Sequence, residues 1–244
     1  MTYVYDFLGI CDGLVLLLVL VLLLRGGQRK FWVFLGYVVW ELFSTAVLTG
    51  FDVLYSSPSS SGGGAHTDII KLYTRLYWAN DVIVDLLRFL LVIVLSYRAV
   101  PEGPRRLTMG RLLGGVVVIM LVLPFVLFPL SFKPWPSEVW FNSTSQLLNF
   151  GGAIMNLILW GALLVNRKRD PQLTAVSIGL GVVVTGAAVS YGLRHLLPLE
   201  ARFIPNLFLM LTQLAGWGIW CRAFWPAANR QPALDPAGKP VPSA

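Results

Sequence analysis

Asp81, Asp85 and Arg88 lie inside an otherwise apolar stretch, residues 72–94, that reads LYTRLYWANDVIVDLLRFLLVIV. At about 100° per residue of α-helix, these three share an arc of about 140° with Arg75 and Trp78, and Leu, Ile, Val and Phe fill the rest. A charge placed in hydrocarbon costs about 2.5–3.5 kcal/mol on insertion scales, so such residues face a protein interior and a partner. The spacing therefore predicts the central helix of a membrane bundle, with an ion-paired polar face. The chemistry open to such a face is binding a polar or charged ligand, or taking up a proton.

The elements that must hold this face are other membrane helices. The chain has 244 residues, 56% hydrophobic and 13% charged, with mean hydropathy +0.70. Soluble domains carry about 25% charged residues. Apolar runs predict seven spans, at 7–24, 31–51, 72–97, 111–130, 145–165, 173–193 and 203–223. Each is near the ~20 residues that cross ~30 Å of hydrocarbon. The expected fold is all-α: a polytopic membrane protein, a seven-transmembrane-helix bundle over residues 1–225. A proline- and alanine-rich tail, 226–244, is expected to be disordered. Residues 56–64, SSPSSSGGG, read as a flexible loop. The leading MTYVYD has no basic n-region and no A-x-A site follows, so the first run is expected to stay as a helix.

The formal net charge of +7 suggests nucleic acid until the basic residues are located. They lie between the apolar runs, which excludes nucleic acid as a partner and leaves the lipid bilayer. Arg25, Arg29, Lys30, Arg98, Arg105, Arg106, Arg111, Arg167, Lys168, Arg169, Arg222, Arg230 and Lys239 share one side, 13 of the 19 Lys and Arg. Lys71, Arg75, Lys133, Arg194 and Arg202 lie on the other, and Arg88 lies between. The positive-inside rule puts the first side in the cytoplasm, giving an inner (plasma) membrane protein with its N-terminus outside and C-terminus cytoplasmic. Trp and Tyr cluster near both expected interfaces, as aromatic belts do. Cys11 and Cys221 then sit on opposite sides, too far apart to bridge.

Depth within each span, at about 1.5 Å per residue, brings several polar groups to one level. Arg88 is near the midplane with Asp85 about one turn further out, and Glu41, Asn156, Thr185 and Gln213 lie at similar depth in the second, fifth, sixth and seventh spans. Tyr37 and Ser44 share a face with Glu41, Asn149 with Asn156, and Asn206 and Trp217 with Gln213. These groups are either a satisfied polar core that fixes helix register or a binding or proton-responsive site. Two acids against one base leave a net charge of −1 in a low dielectric, an arrangement suited to binding one proton. Asp12, Lys71, Arg75, Asp81 and Arg194 fall near the outer ends of their spans. They are candidates for an outer vestibule, or for plain solvated interface charges. Ser177, Gly181 and Thr185, with Ala188 and Gly192, form a small-residue stripe suited to close helix packing. Pro124 is expected to bend the fourth span.

No catalytic motif appears. The two histidines, His66 and His195, belong to no metal-ligand pattern, and there is no G-x-S-x-G, H-E-x-x-H or P-loop. Residues 203–223 hold no lysine for a retinal. No cofactor, metal site or enzymatic activity is expected. Asn142-Ser143-Thr144 matches a glycosylation sequon.

Tyr77-Trp78-Ala79-Asn80-Asp81, the mixed helix that follows and the seven-span plan resemble a group of small uncharacterised seven-transmembrane bacterial proteins of acidobacterial type. The resemblance covers most of the chain and implies no activity. The plan is also similar to seven-helix receptors and to the sensory regions of bacterial histidine kinases, as fold-level analogy. The residues after Arg222 are not expected to form an output domain, so a sensor of this kind is expected to signal through a separate partner protein. Three readings stand: a sensory or ligand-binding membrane module with a charged central site; a small transporter, proton-coupled or not; and a structural membrane protein with a buried ion-pair core.

Overall fold

The computed structural model describes residues 2–26, 31–55, 63–100, 103–128, 138–165, 171–201 and 203–228. Seven α-helices follow one another: α1 (Thr2–Gly26), α2 (Trp32–Tyr55), α3 (Gly63–Ala99), α4 (Pro104–Leu127), α5 (Glu138–Val165), α6 (Pro171–Leu196) and α7 (Phe203–Ala228). A 3-10 turn, Leu199–Ala201, links the last two, and no strand occurs among the described residues. The expected loop 56–64, except its last two glycines, and the tail from 229 onward lie outside the described residues.

Every helix but α3 is long and apolar enough to cross a membrane, six in all. The protein is therefore an all-helical, multi-pass membrane protein. α3 departs from the apolar composition because Arg75, Asp81, Asp85, Arg88 and Arg98 lie along it. Its 37 residues make it about 55 Å long at 1.5 Å per residue. It begins at Gly63 rather than 72, and α1, α4 and α5 likewise begin at Thr2, Pro104 and Glu138, ahead of their apolar runs. Hydropathy marks only the hydrocarbon-length part of a helix, whereas i→i−4 hydrogen bonding continues into polar sequence. Gly103, at φ 154°, turns the chain into Pro104, which occupies the first turn of α4, where its missing N–H costs nothing. Pro124 lies one turn from the end of α4, where Phe128 N–H bonds the Pro124 carbonyl at 3.0 Å.

Phe51–Tyr73, Phe125–Trp140 and Arg194–Asn206 meet at one end of the molecule, and Phe31–Phe224, Arg98–Phe31 and Arg106–Tyr97 at the other. Successive helices therefore run antiparallel, and α1, α3, α5 and α7 all begin at the first, N-terminal end. α1 packs on α2 and α7, α2 on α3, α3 on α5, α5 on α6, and α6 on α7, closing a ring of six. α4 lies outside the ring against α3 and α5, and most of its side chains, Val118, Val122 and Phe125 among them, remain exposed.

The closest seam joins α6 to α7. A Cβ on Gly179 would lie 2.4 Å from Trp220 Nε1 and 3.1 Å from the Gly216 carbonyl, and one on Gly216 would lie 2.3 Å from a Val183 methyl. Trp220 Nε1 donates to the Val176 carbonyl at 2.9 Å across this seam. Of the expected stripe, Gly181 faces Asn156 and Trp160 of α5; the glycines that face α7, Gly179 and Gly186, lie outside that stripe.

Burial is uneven along the ring. Among the residues whose burial is described, the buried residues of α1 are Leu16, Val19, Leu22 and Leu23, none in α2 lies beyond Ser44, and the first in α3 is Val84. In α7, Pro205 apart, burial starts at Gly216. The packed core therefore fills the C-terminal half of the ring, between α1, α2, α3 and α7. Phe31, Phe34, Trp220 and Phe224 fill that half with mutual ring contacts, the closest being Phe34–Trp220 at 4.6 Å.

Candidate functional site: a charged centre on the third helix

Arg88 is the hub. It is 5% exposed and its guanidinium is bound from three directions. Nη1 donates to Asp85 Oδ1 at 3.1 Å, one turn earlier on α3. Nη2 donates to Glu41 Oε1 of α2 at 3.4 Å. Nε donates to the Tyr37 hydroxyl at 3.0 Å, one turn from Glu41. The i, i+3 and i, i+4 spacings of the two helices make this convergence possible. Both acids are buried as well, which suits a charge that cannot be solvated.

α7 completes the centre. Gln213 Nε2 donates to Glu41 Oε1 at 2.9 Å. One turn on, the Trp217 ring stacks on Tyr37, with centroids 5.9 Å apart and planes 12° from parallel. Asp12 of α1 lies beside the Trp217 indole and within electrostatic reach of Arg88 and Glu41. On the opposite side of Arg88, Ser145 and Asn149 of α5 stand across from Asp85. Asn149 is anchored on its own helix, Nδ2 donating to the Ser145 carbonyl at 2.9 Å.

A second constellation lies toward the N-terminal end. The Tyr191 hydroxyl of α6 donates to Asp81, the acid that closes the Tyr77-Trp78-Ala79-Asn80-Asp81 motif. The Arg194 guanidinium covers the Tyr191 ring at 4.9 Å, and its Nε donates to Asn206 Oδ1 at 3.1 Å. Asp81 and Asp85 lie about one turn apart on one face of α3, so the two constellations are continuous.

The centre holds more acceptors than donors. Glu41 Oε2, Asp85 Oδ2, Asp12 Oδ1 and Asn149 Oδ1 are buried without a hydrogen bond of normal geometry, as are the Ser145 hydroxyl and Trp217 Nε1, although Trp217 stands beside Asp12, and Ser145 and Asn149 beside Asp85, close enough to interact. Buried polar atoms without partners are uncommon in native proteins and cost about 1–3 kcal/mol each, so water or a ligand normally satisfies them. Among the described residues no three His, Cys, Asp or Glu side chains converge closely enough to hold a metal ion.

Of the six residues expected at the centre, Glu41, Asp85, Arg88 and Gln213 meet there and two do not. Thr185 is exposed on the outside of α6. Residues four apart drift by about 40° around a helix, so a stripe that is buried at Ser177 and Gly181 has turned outward by Thr185. Asn156 is buried but packs against Gly181 of α6. α5 begins at Glu138, and the residue it offers at the depth of Asp85 is Asn149, two turns before Asn156. Of the outer candidates, Asp81 and Arg194 join through Tyr191, and Asp12 belongs to the centre. Lys71 and Arg75 are exposed on α3. Tyr191 and Ser145 were missed. A hydroxyl on an apolar helix carries no signature of its own, although Tyr191 and Arg194 are an i, i+3 pair. The sequon is helical and its Thr144 is buried, with Oγ1 bonded to the Trp140 carbonyl at 2.8 Å.

No protein-family model, curated protein or solved structure matches this chain.

Proposed function

We propose that the chain is a sensory or ligand-binding module of the inner membrane. In this reading it is a seven-span bundle, with the N-terminus outside, the C-terminus cytoplasmic and α3 as its central span. It binds a polar ligand at the charged centre around Arg88 and passes the change to a separate partner protein. The observation that carries the reading is the set of buried, unpartnered acceptors on three helices, Asp12 Oδ1, Glu41 Oε2 and Asp85 Oδ2, around one arginine. A polar cluster that served register alone would be satisfied within itself. This one leaves Glu41 Oε2 open, and the free oxygens of Asp12 and Asp85 face Trp217, Ser145 and Asn149 without reaching hydrogen-bond geometry.

Proton-coupled transport is the second reading, favoured by the surplus of carboxylates over guanidinium groups at the centre. The aromatic core between the centre and the C-terminal end argues against it, because a transported molecule needs a way out on both sides. Binding and flux separate the two readings. Purified wild-type protein in detergent, screened by thermal shift against a library of small cations, anions and neutral polar compounds, is expected to be stabilised by a subset. The same compounds are expected to show no accumulation in proteoliposomes under a pH gradient. Gradient-dependent uptake would replace the sensor by the transporter. No stabilising compound together with no uptake would leave only the structural reading. For topology, a reporter active only in the cytoplasm, fused after Ala244, is expected to be active.

A further inference from the structure

The open atoms of the centre have a definite chemical sense. Asp85 and Glu41 bond Arg88 and Asp12 lies within its electrostatic reach, so three carboxyl groups surround one guanidinium. The atoms left without partners on Glu41, Asp85, Asp12 and Asn149 are all acceptors. Trp217 and Tyr37, stacked side by side at 5.9 Å, present aromatic surface next to Glu41 and Asp12. Acceptors, excess negative charge and electron-rich rings together form the chemistry that recognises ammonium groups. An anion would meet net repulsion, and a bare metal ion lacks three converging ligands among the described residues. The Asn149 carbonyl oxygen, at 1% exposure, is without a partner, and the fully buried Trp217 indole N–H lies beside Asp12 without a hydrogen bond of normal geometry to it. Neither belongs to the acidic set, and both lie beside it.

Access is asymmetric. Toward the C-terminal end the centre rests on Phe34, Trp220, Phe31 and Phe224, all at most 2% exposed and in mutual contact. Toward the N-terminal end, among the residues whose burial is described, α1 has no buried side chain beyond the centre, α2 has none beyond Ser44 and α7 has only Pro205, and the polar groups Asp81, Tyr191 and Arg194 lie on that side.

We propose that the centre binds a small organic ammonium ion, admitted only from the end at which α1, α3, α5 and α7 begin. The ammonium N–H groups would be taken by Glu41 Oε2 and Asp12 Oδ1 and its alkyl part by the Tyr37–Trp217 surface. This rests on the ligand-binding reading above and names its ligand class and its side of access.

The test uses the full-length chain with Cys11→Ser and Cys221→Ser, and a reporter thiol at Gln213→Cys, the position bonded to Glu41. Two membrane-impermeant methanethiosulfonates of similar size are compared, one bearing trimethylammonium and one sulfonate. Sealed vesicles of both orientations are used, with the N-terminal face identified by an epitope. From that face the cationic reagent is expected to react about tenfold or more faster than the anionic one, after correction for their rates with free cysteine. Electrostatic focusing in clefts supplies a factor of about 10–1,000. Methylammonium chloride, which carries N–H donors, is expected to slow the reaction, and sodium chloride at equal ionic strength is not. From the opposite face neither reagent is expected to react. Equal rates for the two reagents, an anion preference, reaction from the opposite face, or no reaction from either face would each overturn the proposal. If Gln213→Cys does not give a monodisperse protein, Ser44→Cys, one turn from Glu41 toward the open end, is read by the same criteria. An anion preference accompanied by anion stabilisation of the wild type would overturn the ammonium assignment and leave the ligand-binding reading standing. A wild type stabilised by no library compound would remove that reading itself.

Discussion

Replacing Arg88 by glutamine isolates the electrostatics of the centre. The substitution removes donors to Tyr37 at 3.0 Å, Asp85 at 3.1 Å and Glu41 at 3.4 Å. It leaves two buried carboxylates with no cation between them. Removing one partner from a buried ion pair costs about 3–5 kcal/mol, mostly because the remaining charge is stranded. Here two charges are stranded, so Arg88→Gln is expected at the top of that range. Asp85→Asn is different. Arg88 keeps Glu41 and Tyr37, the pair that remains is neutral overall, and the loss is expected at about 1–3 kcal/mol, the cost of a spoiled buried hydrogen bond. Glu41→Gln, with Asp85 and Tyr37 still on Arg88, belongs with it. The neutral triple variant, Glu41→Gln, Asp85→Asn and Arg88→Gln, is expected to recover more than half of the Arg88→Gln loss, because a neutral isosteric set needs no counter-ion. The assay is equilibrium unfolding in mixed micelles, titrated with sodium dodecyl sulfate and followed by tryptophan fluorescence. A loss below about 1 kcal/mol for Arg88→Gln, the range of a solvated pair, would refute the reasoning. So would an Asp85→Asn variant less stable than Arg88→Gln.

Further outcomes follow from particular contacts and are read by the same unfolding titration. Gly179→Ala is expected to destabilise by about 1–3 kcal/mol, because its Cβ would meet the Gly216 carbonyl at 3.1 Å as well as the Trp220 ring. Gly114→Ala, with nothing within 4 Å, is expected to change stability by less than about 0.5 kcal/mol. Tyr191→Phe is expected to cost about 1–3 kcal/mol by leaving the Asp81 carboxylate without its hydroxyl donor. A double-mutant cycle with Asp81→Asn should then show coupling of about 0.5 kcal/mol or more. Thr185→Val, on the exposed face of α6, is expected to leave stability within about 0.5 kcal/mol, whereas Gln213→Leu, which strips a 2.9 Å bond from Glu41, is expected to lose about 1–3 kcal/mol.

The helices were legible in the sequence because apolar runs of spanning length leave few alternatives, and the hub was legible because a charge in such a run needs a partner. Arg88, Asp85 and Glu41 could be paired by depth alone, and Gln213 by its level in the last helix. What depth could not supply was rotation and the true start of each helix. Thr185 was lost to rotation, since a four-residue repeat drifts off any one face. Asn156 was lost to the start of α5, which lies before its apolar run, so that Asn149 takes the level of Asp85. Asp12 shows the reverse case. Near a helix end it reads as solvated, but α1 packs along α7 and sets it beside Trp217. The Tyr37–Trp217 stack and the glycine seam between α6 and α7 depend on which helices are neighbours, which no single helix encodes.

The central claim is that the charged centre binds a ligand and does not merely hold the helices in register. Its most direct test is titration calorimetry of the purified wild type with methylammonium chloride and with whichever library compound stabilises the protein most, repeated on Glu41→Gln and Asp12→Asn. Saturable binding to the wild type is expected, weakened about tenfold or more in each variant, as loss of about 1.4 kcal/mol would give, while each variant stays folded and monodisperse. No saturable binding to the wild type, or affinity unchanged in both folded variants, would contradict the account.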